Sequence, residues 1–182
     1  MAGLRDAIAR LLRRLAAAAD GQRTLPISVQ HQLQTNWCWA ACASTTSGFY
    51  DAATTWGQCT LVNAELGHAT CCEDGESGDC NIPWYLDRVL RRTGNFASKQ
   101  SGRAPWGTVR SELDAGRPVG ARIAWRGGGA HFVLLTGYRS AGSVHEVEVQ
   151  DPWTGRSTLA VDAFATNYKN SGTWTHTYLT RR

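Results

Sequence analysis

The spacing of hydrophobic and polar positions changes midway along the chain, from helical period to alternation. Leu4, Ile8, Leu11, Leu12 and Leu15 form one stripe over 2–19, with Arg5, Asp6, Arg10, Arg13 and Arg14 largely off it, which predicts an amphipathic helix ended by Asp20-Gly21. Pro26 and its β-branched neighbours make 24–30 extended. The Ala-rich, Pro-free run from Cys38 to a stop at Gly48 predicts a helix, and 59–66 a short one. Pro83 with Trp84, Leu86 and Leu90 predicts a helix over about 83–92, and Trp106, Val109 and Leu113 another over about 105–115, each closed by a glycine. Beyond Gly116, alternation marks strands at 118–125, 131–138, 144–150 and 174–180. A helical N-terminal half followed by a largely antiparallel sheet is an α+β arrangement.

At 182 residues and 42% hydrophobic content, the chain suits one domain, or two small lobes sharing a core. Its apolar runs are short and broken by Arg or Gly, so no membrane partner is expected. The net charge of +4 is scattered except near Arg10 to Arg14 and Arg181-Arg182, and a nucleic acid partner is not expected. Arg10, Arg13 and Arg14 interrupt what would be the apolar part of a secretory signal. The first helix therefore reads as a packing helix, a pro-region remnant or a connection to an upstream domain.

Six cysteines are many for a reduced cytosolic chain of this size. With Cys38 set aside, Cys42, Cys59, Cys71, Cys72 and Cys80 fit two disulfides and a spare thiol, and an oxidising compartment or destination. Their pairing stays open. They lie between Cys42 and Cys80, and Cys71, Cys72 and Cys80 fall in 67–81, a stretch rich in turn formers and acids. A structural zinc on His68 with Cys59, Cys71 or Cys72, and Cys80 lacks the usual Cys-x2-Cys spacing.

Candidate chemistry starts at Gln32-Leu-Gln-Thr-Asn-Trp-Cys38. A cysteine opening a helix meets unpaired N–H groups and the positive end of the dipole, which favour its thiolate. Those N–H groups are also half of an oxyanion hole, and the Gln32 amide is a second donor. The bland alternative, a small buried hydrophobe among core tryptophans, weakens once a base and its orienter are found. Of His31, His68, His131, His145 and His176, His131 stands out. If 131–138 and 144–150 form a hairpin turning near Ala141-Gly142, His131 faces Asp151, close enough for the carboxylate to hold the imidazole Nδ1–H. Gly127-Gly-Gly-Ala130 leaves room beside it for a substrate backbone. Trp37, Trp39, Trp153 and Gly129 are the candidate substrate-binding residues.

Together these residues resemble the papain-like cysteine peptidases. Gln32, Cys38-Trp39-Ala40, His131 on a strand and Asp151-Pro-Trp153 repeat that family's order of oxyanion glutamine, nucleophile, base, and Asn or Asp with a Trp two residues later. Asn36-Trp-Cys-Trp-Ala-Ala41 and the acid in place of Asn resemble its compact bacterial branch, which includes effector proteases that plant pathogens inject into host cells. The Gly and second Cys that precede the nucleophile in papain are absent, so papain's disulfides do not transfer. The resemblance implies an extension over 1–23 and a papain-like catalytic domain over 24–182, with a helical N-terminal lobe and a sheet lobe. It implies a Cys38–His131–Asp151 endopeptidase assisted by Gln32, with Trp153 shielding the His131–Asp151 contact. It further implies a protein or peptide substrate, no cofactor or metal, a monomer, and secretion or delivery to a target cell. Gln deamidation or acyl transfer passes through the same thioester, and a non-catalytic interaction module is the alternative outside enzymes.

Overall fold

The computed structural model describes residues 21–182, so the expected helix over 2–19 lies outside the described residues. Its helices are α1 (Cys38–Tyr50), α2 (Gln58–Leu66), α3 (Leu86–Arg92), α4 (Trp106–Asp114) and α5 (Val161–Asn167). Its strands are β1 (Gly21–Thr24), β2 (Phe96–Ser101), β3 (Val119–Trp125), β4 (Ala130–Ala141), β5 (Val144–Asp151), β6 (Gly155–Ala160) and β7 (Gly172–Thr180). The seven strands form one antiparallel sheet, six of them in the order β2-β7-β3-β4-β5-β6. The start of β4 pairs with β3, and β1 pairs further along it, Gly21 with Ser140 and Thr24 with Gly137. Residues 21–23 thus pair with the sheet.

α1 is the hub. Every residue from Cys38 to Ser47 is buried, because the helix packs against α2, α3 and β4 at once. A helix surrounded on all sides needs small, uncharged faces, and Ala40, Ala41, Ala43 and Ser44 supply them. Tyr50 anchors its far end by a hydroxyl bond to Thr180 at the end of β7.

Two disulfides, Cys59–Cys72 and Cys71–Cys80, staple the segment after α2, and Cys38 and Cys42 are free thiols. This meets the expected count of two bridges and one spare. Among the described residues no cluster of ligands suited to a metal ion is present, and no helix is long and apolar enough to cross a membrane.

Two expectations need correction. Helix α3 begins at Leu86 rather than near Pro83, because Trp84 is drawn aside by a 2.7 Å indole bond to Glu65, whose carboxylate also binds Arg92. The β4–β5 hairpin turns at Gly142-Ser143, with Ala141 opposite Val144 and Gly142 at φ 57°. With a register shift between Leu135 and Gly137, Gln150 faces Leu134 rather than Phe132, and the ladder ends before His131.

Candidate active site

Cys38 is the first residue of α1, so its backbone N–H lies outside the helical ladder. The thiol is 7% exposed and lies at a cleft of about 830 Å³ that His131 also lines. His131, second residue of β4, shares that cleft with Cys38, and Cys38 favours its charged form. Its Nε2 lies 2.8 Å from Asp151 Oδ1. The carboxylate therefore takes Nε2 rather than the expected Nδ1. Asp151 sits at the end of β5, beyond the β4 ladder, and the imidazole bridges the gap that the slipped register leaves.

Asp151 is buried, and its two oxygens are fully engaged. Oδ1 also accepts the backbone N–H of Trp153 at 2.7 Å, an Asx-type turn made possible by the Asp-Pro-Trp sequence. Oδ2 accepts the Tyr168 hydroxyl at 2.8 Å and pairs with Lys169 Nζ at 3.0 Å. Burial opposes the carboxylate's charge. The hydrogen bond and charge of His131, the Trp153 N–H and the Tyr168 hydroxyl outweigh it and hold Asp151 well below the usual carboxylate range. Burial likewise opposes the imidazolium, yet the hydrogen bonds and charges of Asp151 and Cys38 push His131 up to about 9.

Residues 19 to 169 match the family described as papain-like cysteine protease AvrRpt2. The chain belongs to this family. No curated protein matches it in sequence. Xylellain, a cysteine protease from Xylella fastidiosa, superposes with a TM-score of 0.52 at 12% identity, over 92% of this chain and 89% of its own. Digestive procathepsin L 3 from the larval midgut of Tenebrio molitor gives 0.53 at 11% identity, over 87% of this chain and 67% of its own. A structure from work on the mite allergens Blo t 1 and Der p 1 gives 0.53 at 13%, over 84% and 66%. At these identities the likeness concerns the fold, which is papain-like.

The remaining sequence-derived candidates of this papain-like protease fall in different places. Trp39 and Gly129 line the cleft, Gly129 with φ 77° and open space where a side chain would stand. Trp37 does not reach it. Its indole is buried, donates to Cys80 O at 2.9 Å and packs on Gly75, so it holds the stapled segment rather than substrate. Trp153 is 51% exposed and stacks on His31. Trp153 also lines a small cavity with His131 and Asp151, and Trp125 stacks on His131 at 6.1 Å between centroids and in turn on Tyr168. Gln32 is buried beside His131 and Asp151, but its Nε2 donates to Gln34 O and Thr35 O, both at 2.8 Å, and its Oε1 has no partner.

Sequence reasoning missed Tyr168 and Lys169. Their chain segment after α5 carries no motif, and only the fold brings it under Asp151. Cys42, one turn beyond Cys38, is fully buried with its thiol directed at Phe132 O, 3.5 Å away. Burial, and then the charges of Cys38 and Asp151, push its pKa up, so it stays a thiol.

Proposed function

We propose that the protein is a cysteine endopeptidase in which Cys38, His131 and Asp151 act as a catalytic triad. The observation that carries this reading is His131, which lines one cleft with the thiol that opens α1 and lies 2.8 Å from a buried, fully engaged carboxylate. Cys38 attacks the scissile carbonyl as a thiolate beside the imidazolium, forming a thioester as His131 protonates the leaving amine. His131 then takes a proton from the water that hydrolyses the thioester. Asp151 fixes the ring and favours its charged form. The backbone N–H of Cys38 is one oxyanion donor. Gln32 is the second, and to serve it shares an amide hydrogen now given to Gln34 or Thr35. Gly129 contacts the substrate, and the buried Trp39 holds the cleft wall behind it.

Lys169 balances Asp151. With its ammonium 3.0 Å from Oδ2, it offsets part of the carboxylate's charge while Oδ1 stays on His131. The two disulfides support folding in an oxidising compartment, and with it export or delivery to another cell.

Incubating a protein extract with wild type and with Cys38→Ala, then mapping peptides by mass spectrometry, tests the reading. New N-termini made by wild type alone are the expected result. Gln-to-Glu conversion without cleavage would make the same thioester chemistry a deamidase. Cleavage by Cys38→Ala would remove Cys38 from the reaction.

A further inference from the structure

The cleft floor beyond His131 is built by register. Ser101, His176, Arg122 and Phe132 lie in one row across β2, β7, β3 and β4, and Lys99, Tyr178 and Gly120 in the next row. Directly paired residues of adjacent strands share a face, and Lys99, Arg122, Phe132, His176 and Tyr178 all line the cavity that holds Cys38 and His131. Three basic side chains thus gather on the wall of a cleft that Trp84, Tyr85 and Trp125 also line.

Their charges are unevenly answered. Lys99 pairs with Asp87 at 3.2 Å. Arg122 donates Nη1 to the Thr175 hydroxyl at 2.9 Å, and among the described residues no carboxylate forms an ion pair with it. Burial and then the charges of Arg122 and Lys99 depress the pKa of His176, so the cluster favours a new negative charge and disfavours another positive one. A guanidinium is a planar fork that fits a carboxylate through two parallel bonds.

We infer that this cleft selects peptides carrying an aspartate or glutamate side chain near the scissile bond, with Arg122 as the carboxylate's partner. The inference rests on the endopeptidase reading above. Lys99 and His176 supply the surrounding field, and together they also reject a lysine or arginine at that position.

A proteome-derived peptide library digested with the whole protein shows where cleavage falls. The expected profile is enriched in Asp and Glu at one position near the cut and depleted in Lys and Arg there. Two synthetic peptides from the preferred sequence, differing only as Glu or Gln at that position, should then differ in kcat/KM by about tenfold or more. Arg122→Gln should bring that ratio close to one, while Arg122→Lys keeps part of it. Equal cleavage of the Glu and Gln peptides by wild type overturns the inference and leaves the endopeptidase reading standing, as does a ratio unchanged in Arg122→Gln. Failure of wild type to cleave any library peptide overturns both.

Discussion

Asp151 is the residue on which the pH behaviour turns. Its Oδ1 serves His131 and its Oδ2 serves Tyr168 and Lys169, while His131 also faces Cys38. In the proposed mechanism the working form has His131 protonated. The basic limb of kcat/KM should therefore fall near pH 9, where His131 titrates. Asp151→Asn removes the negative charge that favours the imidazolium, so the limb should move to lower pH, with a milder loss of rate than in His131→Ala, which should lose about 100-fold or more. Lys169→Met strips the balancing cation from Oδ2 and should move the limb up, and Lys169→Arg should restore it. A limb unmoved by both Asp151→Asn and Lys169→Met would separate this carboxylate from the titration. The sequence announces Cys38, His131 and Asp151 because each stands in a recognisable local setting: a helix start, a Gly-flanked strand, an Asp-Pro-Trp turn. Tyr168, Lys169 and Trp125 have no such setting. Only tertiary packing makes them partners, and nothing in their own segments reports it.

At the scale of elements, the stapled segment braces the start of α1. Asn81 Oδ1 and O accept the backbone and side-chain N–H groups of Asn36, Asn81 Nδ2 donates to Thr35, and Cys80 O and Ile82 O take the indoles of Trp37 and Trp39. Five hydrogen bonds thus tie 35–39 to 80–82, so loss of the staple should reach the nucleophile. Replacing Cys71 and Cys80 together by Ala should lower unfolding free energy by about 2–4 kcal/mol in urea titration and also reduce kcat/KM. Loss of stability with kcat/KM unchanged at a temperature where the variant is folded would show that the brace does not position Cys38. Gly75→Ala tests the same brace without touching sulfur. Its Cβ would stand 2.8 Å from the Trp37 ring and 3.0 Å from Cys71 O, and it should lower Tm. Helices with a clear apolar stripe and strands with clean alternation were legible in sequence. β2 and β6, the two ends of the sheet, were not, because an edge strand buries little and its residues here are mostly exposed. The hairpin register was not legible either, since a turn placed slightly early and one bulge shift every pair downstream.

For the whole molecule, the α+β class could be read from the change of period along the chain. The arrangement of its parts could not, because an Ala-rich helix gives no periodic sign that it will be enclosed by two helices and a sheet. That enclosure puts the ionic chemistry of the site inside the shared core, so site and global stability are linked through pH. Asp151 is held below its ordinary pKa, and its contribution to stability is complete above the unfolded carboxylate range and lost as pH falls through and below that range. His131 is raised from 6.5 to about 9, so its contribution is complete below pH 6.5 and lost as pH rises towards 9. At about 1.4 kcal/mol per pH unit, that interval amounts to about 3 kcal/mol. Unfolding free energy measured in denaturant between pH 4 and 10 should therefore be greatest near pH 5–6 and decline on the alkaline side from about pH 6.5. In His131→Ala the alkaline decline should largely disappear, and Cys38→Ala, which removes one of the two groups favouring the imidazolium, should shift it to lower pH. An alkaline decline that persists unchanged in His131→Ala would place its origin in other groups and would uncouple the active site from the stability of the fold.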